Sequence, residues 1–171
     1  LSSSLAIIGG GMMAEAILSR LLAQQVYRPE AVSVGEPNPQ RREYLAKTYQ
    51  VQVSDDNASI AAEAQTLLLA IKPQIFAAVS GQLPPGTLSP QTLVISILAG
   101  TPLSKLEAAF PGSPVVRVMP NTPATVGAGI SAVSRFPCGA GDAQYPRHRR
   151  RGNFCLESRP RGDGREISGG S

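Results

Sequence analysis

The chain has 171 residues, 42% of them apolar, which is enough for one ordinary domain with a real core. The formal charge of +4 sits entirely at one end: residues 1–134 hold 8 basic and 8 acidic side chains, whereas residues 135–171 hold 8 and 4. A neutral body offers no electrostatic footprint for nucleic acid, and no apolar run approaches the length of a membrane span.

The chain opens with Leu5-Ala6-Ile7-Ile8 running into Gly9-Gly10-Gly11-Met12-Met13-Ala14, an apolar strand followed by Gly-x-Gly-x-x-Ala. In a dinucleotide-binding fold Gly9 permits the tight turn, Gly11 lets the backbone approach a pyrophosphate, and Ala14 lets the next helix pack closely. The free N–H groups and positive dipole end of that helix then face the phosphates. Alone, the glycines also suit a plain turn. Met13, Ala16, Ile17, Leu21 and Leu22 follow at helical spacing, which supplies the context the motif needs. The apolar opening lacks a basic leader and a cleavage site, so it reads as a buried strand, and a cytoplasmic location is expected.

Onward to residue 134 short β-rich runs alternate with helical segments. Strands are expected at 5–8, 31–34, 51–53, 66–71, 93–98, 115–118 and 129–133, and helices near 12–24, 39–48, 57–64, 73–81 and 102–109. This pattern predicts an α/β fold: a doubly wound, mainly parallel sheet with helices on both faces. Pro73 and Pro102 suit first helical turns, and Thr101 is placed to cap the second.

Ligands of such a sheet bind at the carboxyl ends of its strands. Glu36 follows the second strand, where a carboxylate accepts hydrogen bonds from ribose hydroxyls and favours NAD. Arg41 and Arg42 on the next helix could instead reach a 2′-phosphate. Ala70-Ile71-Lys72-Pro73 ends the fourth strand, and Ile97-Leu98-Ala99-Gly100 ends the fifth with small residues that leave room for the nicotinamide ribose. Met119-Pro120-Asn121-Thr122-Pro123 follows the sixth, where two prolines hold an amide and a hydroxyl on a stiff loop. Each of these also has a purely structural reading, as a surface lysine or a rigid turn.

Residues 135–171 have eight arginines and seven glycines but few large apolar side chains, and no helix or strand period. Both cysteines, Cys138 and Cys155, and the single histidine, His148, lie here. The body therefore builds no disulfide framework, Cys/His metal site or histidine-based triad, and no metal is expected.

Taken together, residues 8–17, 70–73, 96–100 and Arg-Val-Met-Pro-Asn-Thr-Pro-Ala-Thr-Val-Gly-Ala-Gly at 117–129 resemble pyrroline-5-carboxylate reductase over roughly residues 5–136. The last motif is specific; the glycine loop is shared by many dehydrogenases. The resemblance implies a Rossmann domain over 1–136 that binds NADPH, or NADH, and reduces the cyclic imine 1-pyrroline-5-carboxylate to proline. It places Ile8, Gly9, Gly10, Gly11, Met12 and Met13 at the phosphates, Glu36 at the adenosine ribose, and Asn57 at the adenosine. Ala70, Ile71, Lys72 and Pro73 with Ile97, Leu98, Ala99 and Gly100 form the remaining cofactor wall, and Asn121 and Thr122 lie near the nicotinamide and imine as the catalytic pair. Many relatives have Ser, Asn or Arg where Glu36 stands, which weakens the usual NADPH preference.

The family continues with a helical domain that joins two subunits and completes the substrate site, and the resemblance stops near Phe136. The helical domain is expected to be absent from this chain, along with normal homo-oligomer formation. With fitted codons, a one-nucleotide shift turns 152–155 into Ala-Ile-Phe-Ala and 164–170 into Val-Val-Lys-Phe-Pro-Glu, both family-like. Residues 137–171 are thus expected to be an out-of-frame or disordered basic tail, and the chain itself to have little activity. Two alternatives stay open: another imine or β-hydroxyacid reductase, and a non-catalytic NAD(P)-binding protein with a basic interaction tail.

Overall fold

Leu5–Ile8 forms β1, and all four of its side chains are buried. Burial on both faces is what a strand inside a helix-covered parallel sheet requires, and it explains the unbroken apolar run. The computed structural model describes residues 4–120, 130–135 and 154–157. Within them α1 (Met12–Ala23) leads to a 3₁₀ turn at Pro29–Ala31 and β2 (Val32–Gly35). Then come α2 (Pro39–Tyr49), β3 (Gln52–Ser54), α3 (Asn57–Ala62) and β4 (Thr66–Leu69). A 3₁₀ turn at Pro73–Ile75 and α4 (Phe76–Gly81) precede β5 (Leu93–Ser96), α5 (Leu103–Ala109) and β6 (Val115–Pro120). Two further strands, β7 (Ile130–Arg135) and β8 (Phe154–Glu157), complete the described elements.

The sheet order is β3-β2-β1-β4-β5-β6-β7-β8, parallel through β6 and antiparallel beyond it. The chain winds outward from β1 to β3, returns to lay β4 against the other side of β1, and winds outward again. That reversal makes the fold doubly wound and opens a crevice beyond the carboxyl ends of β1 and β4.

Alternate residues of each strand feed two cores. Leu5, Ile7, Val32, Val34 and Leu68 pack with Ala14 and Leu18 of α1 and Leu45 of α2. Ala6, Ile8, Leu67, Leu69 and Val94 pack on the other face with Ala61, Phe76, Val79, Leu106 and Phe110. Phe76 and Phe110 meet edge to face at 6.3 Å, which fixes α4 against the end of α5. Each fully buried aliphatic side chain contributes about 1.5–3 kcal/mol.

Several boundaries differ from the sequence expectation for identifiable reasons. Pro73 forces Lys72 into an extended conformation, so the expected helix at 73–81 begins as a 3₁₀ turn. The Ser96 hydroxyl accepts the Leu98 N–H at 3.3 Å and turns the chain out of β5 early. Thr101 does not cap α5: Pro102 is the N-cap, without a side-chain cap bond, while Thr101 is buried. The caps that do operate are Asn38, which accepts from Gln40 and Arg41 N–H, and Asp56, which accepts from Ala58 and Ser59 N–H. A strand at Phe154–Glu157 falls inside the stretch read as an irregular tail, and it pairs antiparallel with β7.

Candidate functional site

The crevice at the carboxyl ends of β1, β2 and β4 holds a cavity of about 600 Å³. Its floor is the glycine loop, with Ile8, Gly9 and Gly11 in its lining. Gly9 has φ +97°, and a Cβ there would stand 2.7 Å from the Ala70 carbonyl oxygen. Only glycine fits that turn. A Cβ on Gly11 would meet nothing within 4 Å. The open space lies where a ligand can approach the backbone, as the motif requires. The first helical bond of α1 runs from Glu15 N–H to the Gly11 carbonyl at 2.9 Å, so the N–H groups of Met12, Met13 and Ala14 have no acceptor within the helix. Ala14 is 3% exposed and sits in the core below, as expected of the small third residue of the motif.

Glu36, Pro37, Asp55 and Asn57 line one end of the cavity. The Glu36 carboxylate is held by backbone donors, Gly10 N–H at 2.9 Å and Asn38 N–H at 3.0 Å. Asn57 donates from Nδ2 to Gln82 Oε1 at 2.7 Å, which ties α3 to the end of α4. Gly35 leaves room for Asn57: a Cβ there would lie 2.3 Å from its Oδ1. Ala70, Ile71 and Lys72 follow β4 along the opposite wall, and Ile75, Ala78, Val79 and Gln82 complete it.

Of the expected cofactor residues, Ile8, Gly9, Gly11, Glu36, Asn57, Ala70, Ile71 and Lys72 meet in this cavity. Gly10 lies beneath its floor, buried. Met12, Met13 and Pro73 flank the lining without joining it, and Met12 is 84% exposed at the start of α1. The cavity does not reach Ile97–Gly100; Leu98 is turned into the core while Ala99 and Gly100 are exposed. Asn121 and Thr122 lie outside the described residues.

Arg41 and Arg42 are committed elsewhere than a free 2′-phosphate position. Arg41 donates from Nε to the Gly10 carbonyl at 2.6 Å and forms an ion pair with Glu15 at 2.5 Å. Arg42 donates to the carbonyls of Glu36 and Pro37 at 2.7 and 2.9 Å and pairs with Asp55 at 3.1 Å. Burial pushes the Glu15 carboxyl up, but hydrogen bonds from Arg41, Tyr49 and Tyr44 and the Arg41 charge outweigh it and hold the group below its ordinary value.

Sequence reasoning missed Gly35, Pro37, Asp55, Ile75, Ala78, Val79 and Gln82 of the lining. Asp55 follows β3 as Glu36 follows β2, so the strand-end rule that found Glu36 also reaches it. Nothing local marks Gln82, which enters through its bond to a residue 25 positions away. Among the described residues no group of His, Cys, Asp and Glu is arranged to hold a metal ion, and no helix is long and apolar enough to cross a membrane.

Known proteins resemble this chain in sequence and fold. Residues 4–100 match the family described as NADP oxidoreductase, coenzyme F420-dependent. The chain is 54% identical over 134 residues to the pyrroline-5-carboxylate reductase of Synechocystis, covering 78% of this chain and 49% of that protein. It is 42% identical over 130 residues to the enzyme of the same name from Haemophilus influenzae, covering 75% and 47%. Among solved structures, a pyrroline-5-carboxylate reductase from Coxiella burnetii superposes with a TM-score of 0.71 at 29% identity, covering 80% of this chain and 50% of that one. Plasmodium falciparum pyrroline carboxylate reductase with NADP bound superposes with a TM-score of 0.67 at 27% identity, covering 78% and 48%. The chain thus spans about half the length of the curated relatives it matches. With residues 4–100 accounting for more than half of its length, the chain belongs to the coenzyme F420-dependent NADP oxidoreductase family, and its likeness there is to the pyrroline-5-carboxylate reductases.

Proposed function

We propose that this chain supplies the dinucleotide-binding part of a reductase that passes hydride from NADPH or NADH to the cyclic imine 1-pyrroline-5-carboxylate, giving proline. The observation that carries the reading is the cavity over the glycine loop, with open space at Gly11 and Glu36 and Asn57 at one end. In this reading Glu36 and Asn57 would hold the adenosine ribose, and the start of α1 the pyrophosphate. NADPH is the cofactor by likeness to the NADP-bound relative; NADH is the alternative favoured by Glu36, the carboxylate of the lining that pairs with no cation among the described residues.

The bound dinucleotide supplies the hydride, and the protein's part is to bind and orient. The glycine loop would hold the phosphates, and Ala70, Ile71 and Lys72 would line the cofactor's side of the crevice. Asn121 and Thr122, following β6, would hold the imine beside the nicotinamide. A protonated imine accepts hydride readily, so positioning at near-attack distance is the main task, and no histidine is needed. Such an enzyme acts on a small molecule in the cytoplasm, and a second subunit would complete it.

The test joins residues 1–135 to the C-terminal half of the Synechocystis relative and measures imine-dependent oxidation of NADPH and NADH. Turnover is expected, and Asn121→Ala or Thr122→Ala should lower kcat. A folded chimera that binds NADPH but leaves the imine untouched, while oxidising 2-hydroxy acids with NADP⁺ in the reverse assay, would replace this substrate assignment.

A further inference from the structure

Gly10 is gripped from three sides. Its N–H donates to Glu36 Oε2 at 2.9 Å, its carbonyl accepts from Arg41 Nε at 2.6 Å, and its Cα faces Leu45, whose Cδ1 would lie 2.7 Å from a Cβ. Arg41 is itself anchored. Its guanidinium binds Glu15 Oε2 at 2.5 Å and lies 5.0 Å from the centre of the Tyr44 ring. The other oxygen of Glu15 accepts from Tyr49 at 2.8 Å and Tyr44 at 2.9 Å.

A trans peptide is planar, so the Gly10 carbonyl and the Gly11 N–H point in opposite directions across one rigid unit. Holding the carbonyl toward Arg41 therefore sets where the next N–H points. Gly11 borders the cavity, with open space above it. We propose that Arg41 is a positioning residue for dinucleotide binding: anchored by Glu15 and Tyr49, it fixes the Gly10–Gly11 peptide so that the N–H groups at the start of α1 are preset for a pyrophosphate. It is not a ligand of a 2′-phosphate. This rests on the reading of the crevice as a dinucleotide site.

Charge and geometry separate the two roles. A lysine at position 41 keeps the charge that a 2′-phosphate ligand needs, but cannot bridge the Gly10 carbonyl and Glu15 with a planar fork. The full chain and its Arg41→Lys, Arg41→Gln and Glu15→Gln variants are titrated with NADH, NADPH, ADP-ribose and adenosine, and thermal melting checks the fold. Both Arg41 variants should weaken NADH, NADPH and ADP-ribose alike, by about tenfold, with adenosine unchanged. Glu15→Gln should weaken the same three ligands to a smaller extent.

Full affinity in Arg41→Lys, a loss confined to NADPH, or tighter NADPH binding by Glu15→Gln would overturn the proposal. Equal loss for adenosine would do so as well, by showing a general structural role. Should the Arg41 variants fail to fold, Tyr49→Phe loosens the same anchor from its far end, and unchanged ADP-ribose affinity there counts against the proposal. Failure of the unaltered chain to bind either dinucleotide would instead remove the reading of the crevice itself.

Discussion

Gly9 backs directly onto Ala70: the turn that ends β1 passes so close to the end of β4 that a single added methyl would stand 2.7 Å from the Ala70 carbonyl oxygen. Gly11, two residues on, has nothing within 4 Å of the same imagined atom. The fold requires glycine at position 9 but not at position 11, where the proposed pyrophosphate site would supply the reason.

This contrast gives the first prediction. Gly9→Ala combines a φ of +97° with a backbone clash and should cost about 2–3 kcal/mol of stability, lowering Tm and cofactor binding together. Gly11→Val should melt near the unaltered protein yet lose NADH and NADPH, because its side chain fills the space over the start of α1. Melting curves alongside titration of reduced-cofactor fluorescence separate the two, and equal cofactor affinity in Gly11→Val would place the pyrophosphate elsewhere.

Gly35 presents a third case. A Cβ there would meet Asn57 Oδ1 at 2.3 Å and Ile60 Cδ1 at 2.9 Å, both ends of side chains that can move. Gly35→Ala should therefore fold, while displacing Asn57 and breaking its bond to Gln82, at a cost of about 1 kcal/mol. Adenosine and ADP-ribose should then both bind more weakly. Unchanged adenosine affinity would show that Asn57 makes no adenosine contact.

The first βαβ unit was legible because local chemistry and global fold agree there. Four consecutive apolar residues, a glycine turn and helical spacing from Met13 to Leu22 specify β1 and α1 without long-range information. The bounds of β4 and β5 were read too long, since the apolar runs continue through Ile71 and Leu98 after the ladders stop at Leu69 and Ser96. Leu98 remains apolar because it enters the core from the loop. The roles of Arg41 and Glu15 were not legible at all. They depend on packing α1 against α2 so that residues 26 positions apart in sequence meet, and nothing in either helix announces its partner.

The Glu15 cluster also predicts a pH dependence. A carboxyl held below its ordinary 4.5 contributes stability that is present above the unfolded value and lost as pH falls through the folded one. Tyr49 behaves in the opposite sense: burial first, then its bond to Glu15, raises it from 10.0 to about 12, so its contribution is complete below pH 10 and disappears as pH approaches 12. Glu15→Gln should lower Tm at neutral pH, reduce the fall in Tm below pH 4.5, and reduce the alkaline loss. Melting temperature against pH for both proteins measures this; parallel curves at both extremes would show that the cluster does not titrate with folding.

On the proposed reading of the crevice, Glu36 is the residue that sets cofactor choice. Asp55, which shares the cavity lining, has its charge offset by Arg42 at 3.1 Å, whereas the Glu36 oxygens are held by the backbone N–H groups of Gly10 and Asn38. Among the described residues no ion pair is formed by Glu36, so in the proposed site its carboxylate would face the ribose without a neutralising cation. A 2′-phosphate placed there meets a like charge, at a cost between about 1 kcal/mol in water and about 4 kcal/mol at the lower effective dielectric near a protein surface. Glu36→Ser should shift the ratio of the NADPH and NADH dissociation constants toward NADPH by about tenfold. Loss of the bond to Gly10 should weaken both cofactors alike, and the ratio cancels that effect, which makes the ratio rather than either affinity the quantity to measure. Glu36→Gln, which keeps the length and removes the charge, should move the ratio in the same direction with less general weakening. An unchanged ratio in both variants would place Glu36 away from the 2′ position and leave the selection of the dinucleotide to other residues of the lining.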